Sequence, residues 1–201
     1  TSSDGRDWSE RELVYSSDVL SLSPSIIYED GTYKMWLVRS SEIQYMECSS
    51  DGMWNWENIQ TVPFSVAKGE RIPDLWHLHI LKEKDNLYHL TMAEYAGSIY
   101  YATSTDGKSF TNAVEIIKPT EGEGSWDNRH LYRGSLIKVG SLYRMYYGGA
   151  GGSAKRWRVG LSEGKSPYTL KGSNNVDEKA HRYLDRIKGN SSDFRSINGN
   201  K

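Results

Sequence analysis

Cys48 is the only cysteine in this chain of 201 residues. Its isolation excludes an internal disulfide framework and a zinc site built on cysteines. No stretch approaches the ~18 consecutive apolar residues of a membrane-spanning helix, and the first residues lack the basic and apolar regions of a signal peptide. Starting at Thr1 without Met, the chain reads as a mature or excised piece. Excess charge of one sign is missing too: 25 Lys+Arg stand against 26 Asp+Glu, for a formal net charge of -1. That balance argues against nucleic acid as a partner and against insertion into or attraction to an anionic membrane. Conventional core material is sparse, with 37% hydrophobic residues and 3 Phe, but there are 7 Trp and 14 Tyr. Aromatics at that density argue against disorder. They suit strands that bury a ring and keep a polar tip wet.

The chain repeats itself. Ser3-Asp4-Gly5-Arg6-Asp7-Trp8, Ser50-Asp51-Gly52 with Trp54 and Trp56, and Thr105-Asp106-Gly107-Lys108-Ser109-Phe110 mark one recurring turn, with a weaker copy at Ser162-Glu163-Gly164. A second mark keeps the same period: Tyr33, Tyr88 and Tyr143 each follow an apolar run and a tight turn, and they lie 55 residues apart. Within each unit, runs such as Thr32–Val38 and Tyr143–Tyr147 alternate polar and apolar, as half-buried strands do. Ser98–Thr103 and Ala113–Ile117 read as the strands flanking an Asp-Gly hairpin. Four short strands in roughly 50 residues is the signature of a propeller blade. The expectation is therefore an all-β chain, a β-propeller with blades at 16–62, 71–117 and 128–172 and a partial blade at 1–15. Three and a fraction blades do not close a ring, so further blades are expected from another chain segment. Residues 173–201 break the pattern: apolar positions 176, 180, 183, 184 and 187 predict a short helix, stopped at Gly189 and followed by a polar tail.

Three blocks carry a family resemblance: Ser23-Pro24-Ser25-Ile26-Ile27-Tyr28 with Tyr33-Lys34-Met35-Trp36; Trp76-His77-Leu78-His79-Ile80; and Tyr132-Arg133-Gly134-Ser135-Leu136-Ile137 with Tyr143-Arg144-Met145-Tyr146-Tyr147. They resemble the five-bladed propellers of family 43 and family 32 glycoside hydrolases, the arabinanase and sucrase type. Similar propellers serve as glycan-binding platforms in receptor-binding proteins of phages of Gram-positive bacteria. The resemblance implies that the first strand of every blade lines a central channel and that its beginning points into a sugar pocket.

Alignment on the tyrosines then places Ser23, His77 and Arg133 in one layer. Ser25, His79 and Ser135 form a second layer on the same strand faces, because side chains alternate with period 2. All six are expected to share one cavity. Trp76, Tyr95, Trp126 and Tyr132 fall near its mouth, where flat rings can stack on sugar faces. Glycoside hydrolysis needs two carboxyl groups about 5–9.5 Å apart. The relatives carry carboxylates where this chain has Ser, His and Arg; those still near are Asp18, Asp74, Asp127 and Glu94. Asp18, Asp74 and Glu94 are the catalytic candidates. Ser23, Trp76, His77, His79, Tyr132, Arg133, Ser135 and Asp127 are the saccharide-binding ones. No cofactor is expected, and no metal is assigned, although His77, His79 and Asp74 have a spacing that could hold one. Lys155-Arg156-Trp157-Arg158, after a glycine cluster, reads as a solvated face or a contact for an anionic polymer.

Three functions remain open. One is a non-catalytic propeller that recognises a saccharide or cell-wall glycan, extracellular or on a virion surface, as a phage tail platform with a possible homo-oligomeric assembly. Another is a glycoside hydrolase using Asp/Glu acid-base chemistry. The third is a protein-interaction propeller.

Overall fold

The computed structural model describes residues 1–49, 54–95, 97–122, 124–152 and 156–170. The C-terminal helix expected over 176–188 lies outside the described residues, as do Ser50-Asp51-Gly52 and Lys155.

The described residues form three separate sheets, antiparallel except for one pairing. The first contains β1 (Ser21–Glu29), β2 (Thr32–Arg39), β3 (Glu42–Ser49) and β4 (Glu57–Val62), in that spatial order. Residues 64–66 form β5 (Phe64–Val66), which crosses to the second sheet and pairs in parallel with its outermost strand. That sheet continues with β6 (Leu75–Lys82), β7 (Tyr88–Glu94), β8 (Ile99–Ser104) and β9 (Phe110–Ile117). The third sheet holds β10 (His130–Val139), β11 (Leu142–Gly151) and β12 (Arg156–Gly164). It has three strands among the described residues, where a fourth was expected. Residues 1–20 contain no strand; the expected partial blade at the amino end is represented by its turn alone. No helix of the described residues is long and apolar enough to cross a membrane.

Turn chemistry explains the meander. Asp30 and Gly31 both adopt positive φ between β1 and β2, the two-residue hairpin that follows the natural strand twist. The recurring Asp-Gly turn is built identically in its two described copies. Ser104 Oγ accepts from the Gly107 and Asp106 amides, and Asp106 Oδ1 accepts from those of Lys108 and Ser109. Ser2 and Asp4 do the same for Gly5, Asp4, Arg6 and Asp7. The anchoring serine stands two residues before the Asp, one earlier than the motif read from sequence.

The sheets pack face to face as successive wedges. One core joins the first two through Trp36, Tyr45, Val62, Ile80, Tyr88, Leu90, Tyr100 and Phe110. A second joins the next pair through Ile99, Tyr101, Leu136, Met145 and Tyr147. Trp36 reaches across and donates from Nε1 to the Gly107 carbonyl at 2.7 Å. There, Gly107 has φ +72, and a Cβ would lie 2.9 Å from the indole, so the turn can be only glycine.

At the far ends of the inner strands an ionic clasp recurs. Glu29 pairs with Lys34 and with Lys82 of the next wedge, whose ammonium lies over the Tyr88 ring. One wedge on, Glu83 pairs with Lys138, which lies over Tyr143, and it also accepts from the Tyr143 hydroxyl.

Candidate functional site

The beginnings of β1, β6 and β10 converge at the opposite end of these strands. Ser23 sits at an irregularity in the β1–β2 pairing, between Leu22 and Ser25, and has φ 53. A left-handed backbone is unfavourable for a serine and is held here by the surroundings. It turns the buried hydroxyl onto His77, with Oγ 2.6 Å from Nδ1. His77 is 2% exposed, and its other nitrogen, Nε2, is buried without a hydrogen-bond partner. Donation by Ser23 to Nδ1 leaves one unmet group, the Nε2 proton. The reverse arrangement would strand both Nε2 and the serine proton, so the first tautomer is favoured. Burial, and then the nearby Arg133 charge, push the His77 pKa down to about 4, which keeps the ring neutral at pH 7.

Aromatic side chains surround this pair. Tyr132 meets the His77 ring edge-on, with centroids 4.4 Å apart at 75°. Trp76 stacks beneath Tyr95 at 4.5 Å and 11° and approaches Tyr132 at 6.3 Å. Trp157, on β12, extends the series, 5.3 Å from Tyr132. Tyr95 and Trp157 are well exposed, so the platform is open to solvent. The Arg133 guanidinium lies over the Tyr132 ring at 5.8 Å. The Tyr95 amide donates to the Asp74 carbonyl at 3.0 Å, and the Gly97 carbonyl accepts from the Leu131 amide at 2.9 Å, tying the β7–β8 turn to the start of β10.

The six channel residues make different contacts. Ser23 and His77 pair with each other, whereas Ser25 and His79 join neighbouring wedges. Ser25 Oγ accepts from the Ile80 amide at 3.0 Å, and His79 Nδ1 accepts from the Leu136 amide at 3.4 Å. Arg133 and Ser135 are exposed. The second layer is thus partly inter-wedge hydrogen bonding, because each inner strand offers its neighbour backbone groups that a short polar side chain can reach.

The acidic candidates disperse. Asp74 is exposed at the start of β6 and accepts from Ser41 at 3.1 Å. Asp18 is exposed in the segment before β1. Asp127 is 1% exposed and accepts from the Tyr147 hydroxyl at 3.0 Å, so it faces the wedge interior and not the lip. Glu94 ends β7, is buried, and pairs with Arg71 through Oε1, while Oε2 has no partner. His77 and Asp74 do not form a Ser–His–Asp relay with Ser23, since Nε2 is unpartnered. Among the described residues, no three His, Cys, Asp or Glu side chains come together as a metal site. Trp126 lies behind the platform, packed on Tyr147 and filling the space over Gly149 and Gly160.

These sheets define a class: wedges whose inner strands converge, as in a β-propeller of the glycoside hydrolase type. The solved structures agree. The chain matches five-bladed propellers of the family 43 and family 117 glycoside hydrolase type over about three quarters of its length. One match is an N-acetylgalactosamine deacetylase from F. plautii in complex with blood group B trisaccharide, at 20% identity and TM-score 0.61, covering 82% of this chain and 56% of that one. Another is Zg3597, a family 117 glycoside hydrolase of the marine bacterium Zobellia galactanivorans, at 16% and 0.56, covering 76% and 54%. A third is an exo-1,5-alpha-L-arabinanase from a bovine ruminal metagenomic library, at 15% and 0.53, covering 73% and 52%. At such identities the likeness is one of fold. The chain spans about half the length of these three structures. No protein-family model and no curated protein matches it.

Proposed function

We propose that this chain is the glycan-recognising part of a propeller, binding a saccharide at the inner-strand starts without cleaving it. The observation that carries this reading is the open aromatic platform of Tyr95, Trp76, Tyr132 and Trp157 set around the buried Ser23–His77 pair. Flat, rigid rings bind sugar faces at low ordering cost. The blood group trisaccharide bound by one structural relative is in keeping with a saccharide ligand. In this reading the protein works outside a cell or on a virion surface, as a receptor-binding platform for a cell-wall glycan, and further blades complete the ring.

Trp76→Ala removes the central ring. It is expected to weaken glycan binding at least about tenfold, the worth of one stacked aromatic contact, with the unfolding midpoint little changed because Trp76 is only half-buried. Titration calorimetry against a panel of oligosaccharides reads the first quantity and thermal melting the second. Unchanged affinity would sink the proposal.

Glu94 favours a second reading. A buried carboxylate at a strand end, paired with Arg71 through one oxygen and unmet at the other, is the kind of group that serves as a base in glycoside hydrolysis. That reading expects reducing sugar to be released from arabinan or a related polymer, and the release to disappear in Glu94→Gln. Absence of any release from the panel leaves the binding reading standing.

A further inference from the structure

The geometry points to a second recognition element beside the aromatic platform: a basic strip at one end of the third sheet that takes an oxyanion-bearing polysaccharide, with carboxylate or phosphodiester groups along its chain. It rests on the glycan reading above and names the ligand's charge.

The strip is made by strand register. His130 of β10 pairs with Ala150 of β11, which pairs with Trp157 of β12; in the next row Leu131 pairs with Gly149 and Gly149 with Arg158. Arg156 pairs with Gly151, and the Arg129 amide donates to the Ala150 carbonyl at 3.1 Å. Arg129, Arg156 and Arg158 are therefore brought to one end of the sheet, with exposed His130 beside them and exposed Arg133 further along β10. The middle strand places only Gly148, Gly149, Ala150 and Gly151 between the two banks. These small residues leave room for Trp126, Asp127 and Asn128, which pack over Gly149 and Gly151, while β10 and β12 lie about 10 Å apart at two strand spacings.

Among the described residues these arginines are not neutralised. All four are exposed, and none forms an ion pair among the described residues, whereas Arg71 and Arg144 have carboxylate partners. Of the described acids nearby, Asp127 is buried against Tyr147, Glu163 pairs with Arg144, and exposed Glu121 pairs with none of them. In a chain whose net charge is -1, such a concentration is local. Guanidinium groups are planar forks matched to carboxylate and phosphate oxygens. Trp157, between Arg156 and Arg158 in sequence, faces the opposite side of β12 and contacts Tyr132 there; the basic groups meet the aromatic platform through Arg133, whose guanidinium lies over the Tyr132 ring. Rings for sugar faces next to forks for oxyanions suit an acidic glycan better than a nucleic acid, for which the chain as a whole has no attraction.

The test titrates the chain with three polymers: oligogalacturonate for carboxylate, poly(glycerol phosphate) for phosphodiester, and neutral arabinohexaose. Salt is set at about 0.1 M and about 1 M, where the screening length falls from about 10 to about 3 Å. At the lower salt at least one acidic polymer is expected to bind about tenfold or more tightly than arabinohexaose, and the advantage should collapse at the higher. The triple variant Arg129→Gln, Arg156→Gln, Arg158→Gln should lose that advantage and keep its affinity for arabinohexaose, with an unchanged melting temperature showing that it is folded. The stronger acidic arm identifies the oxyanion. Equal binding of acidic and neutral polymers, or a triple variant that keeps the preference, overturns the strip and leaves the glycan reading intact. Binding of none of the three removes both. A single-stranded oligonucleotide bound as tightly as the acidic glycan overturns the assignment to a polysaccharide.

Discussion

Trp36→Ala is expected to lower the free energy of unfolding by about 4–6 kcal/mol. The indole is 0% exposed and packs against Tyr45 and Tyr88 at centroid distances of 5.0 and 5.8 Å. Truncating a fully buried tryptophan costs about 3–5 kcal/mol through lost transfer energy and the cavity left behind. The stranded Gly107 carbonyl, which now accepts from Nε1 at 2.7 Å, adds about 1 kcal/mol or more. Trp8 provides the contrast. Its Nε1 also donates to a turn-glycine carbonyl, that of Gly5, but it is 70% exposed, so Trp8→Ala should stay within about 0.5 kcal/mol of the parent. Urea unfolding followed by fluorescence measures both. A loss below about 1.5 kcal/mol for Trp36→Ala would mean that the first two wedges are not held together through this residue.

The second large effect is a loss of stability on acidification, beginning above the range where carboxylates titrate. Burial and the Arg133 charge hold the folded His77 value at about 4, whereas an unfolded histidine titrates near 6.5. At intermediate pH the unfolded chain therefore binds more protons than the folded one. The contribution is complete above about pH 6.5 and is lost as the pH falls towards 4, and the whole interval is worth about 3 kcal/mol. His79 and His89, both pulled down chiefly by burial, act with the same sign, although Glu83 opposes the shift of His89. Chemical unfolding across this range should show the decline. His77→Gln, which keeps a hydrogen-bonding group but cannot titrate, should make it shallower. An identical slope in that variant would show that His77 is not the group responsible.

The repeat was legible because it is written in backbone demands. Asp-Gly pairs are needed where φ is positive, and a tyrosine recurs at the start of each second strand: Tyr33, Tyr88 and Tyr143 all lie within one residue of the beginning of β2, β7 and β11. The strand starts at Ser23, His77 and Arg133 were also legible, since period 2 assigns each residue to a face. Less legible was the anchoring serine of the turn, although Ser2, Ser49 and Ser104 all stand two residues before the Asp. The clasp of Glu29 with Lys82 and Glu83 with Lys138 was missed as well. Its 53- and 55-residue separations match the repeat, but charges are common on strand ends and only contact distinguishes them. Strand β5 was unreadable: three residues pair with a strand more than 40 positions away, and no local pattern encodes that.

By itself, then, the sequence determined that this chain is a series of small antiparallel sheets with aromatic interiors, since turn conformation and side-chain alternation are local properties. Tertiary structure decided what each polar residue does. Ser23 and Ser25, two positions apart on one strand, differ because the first is turned by its backbone onto the His77 ring and the second meets the Ile80 backbone. Asp127 and Arg133 differ because one is enclosed beside Tyr147 and the other is left facing water. Periodicity says which side of a strand a residue occupies; what waits on that side depends on the neighbouring wedge, and only packing supplies it.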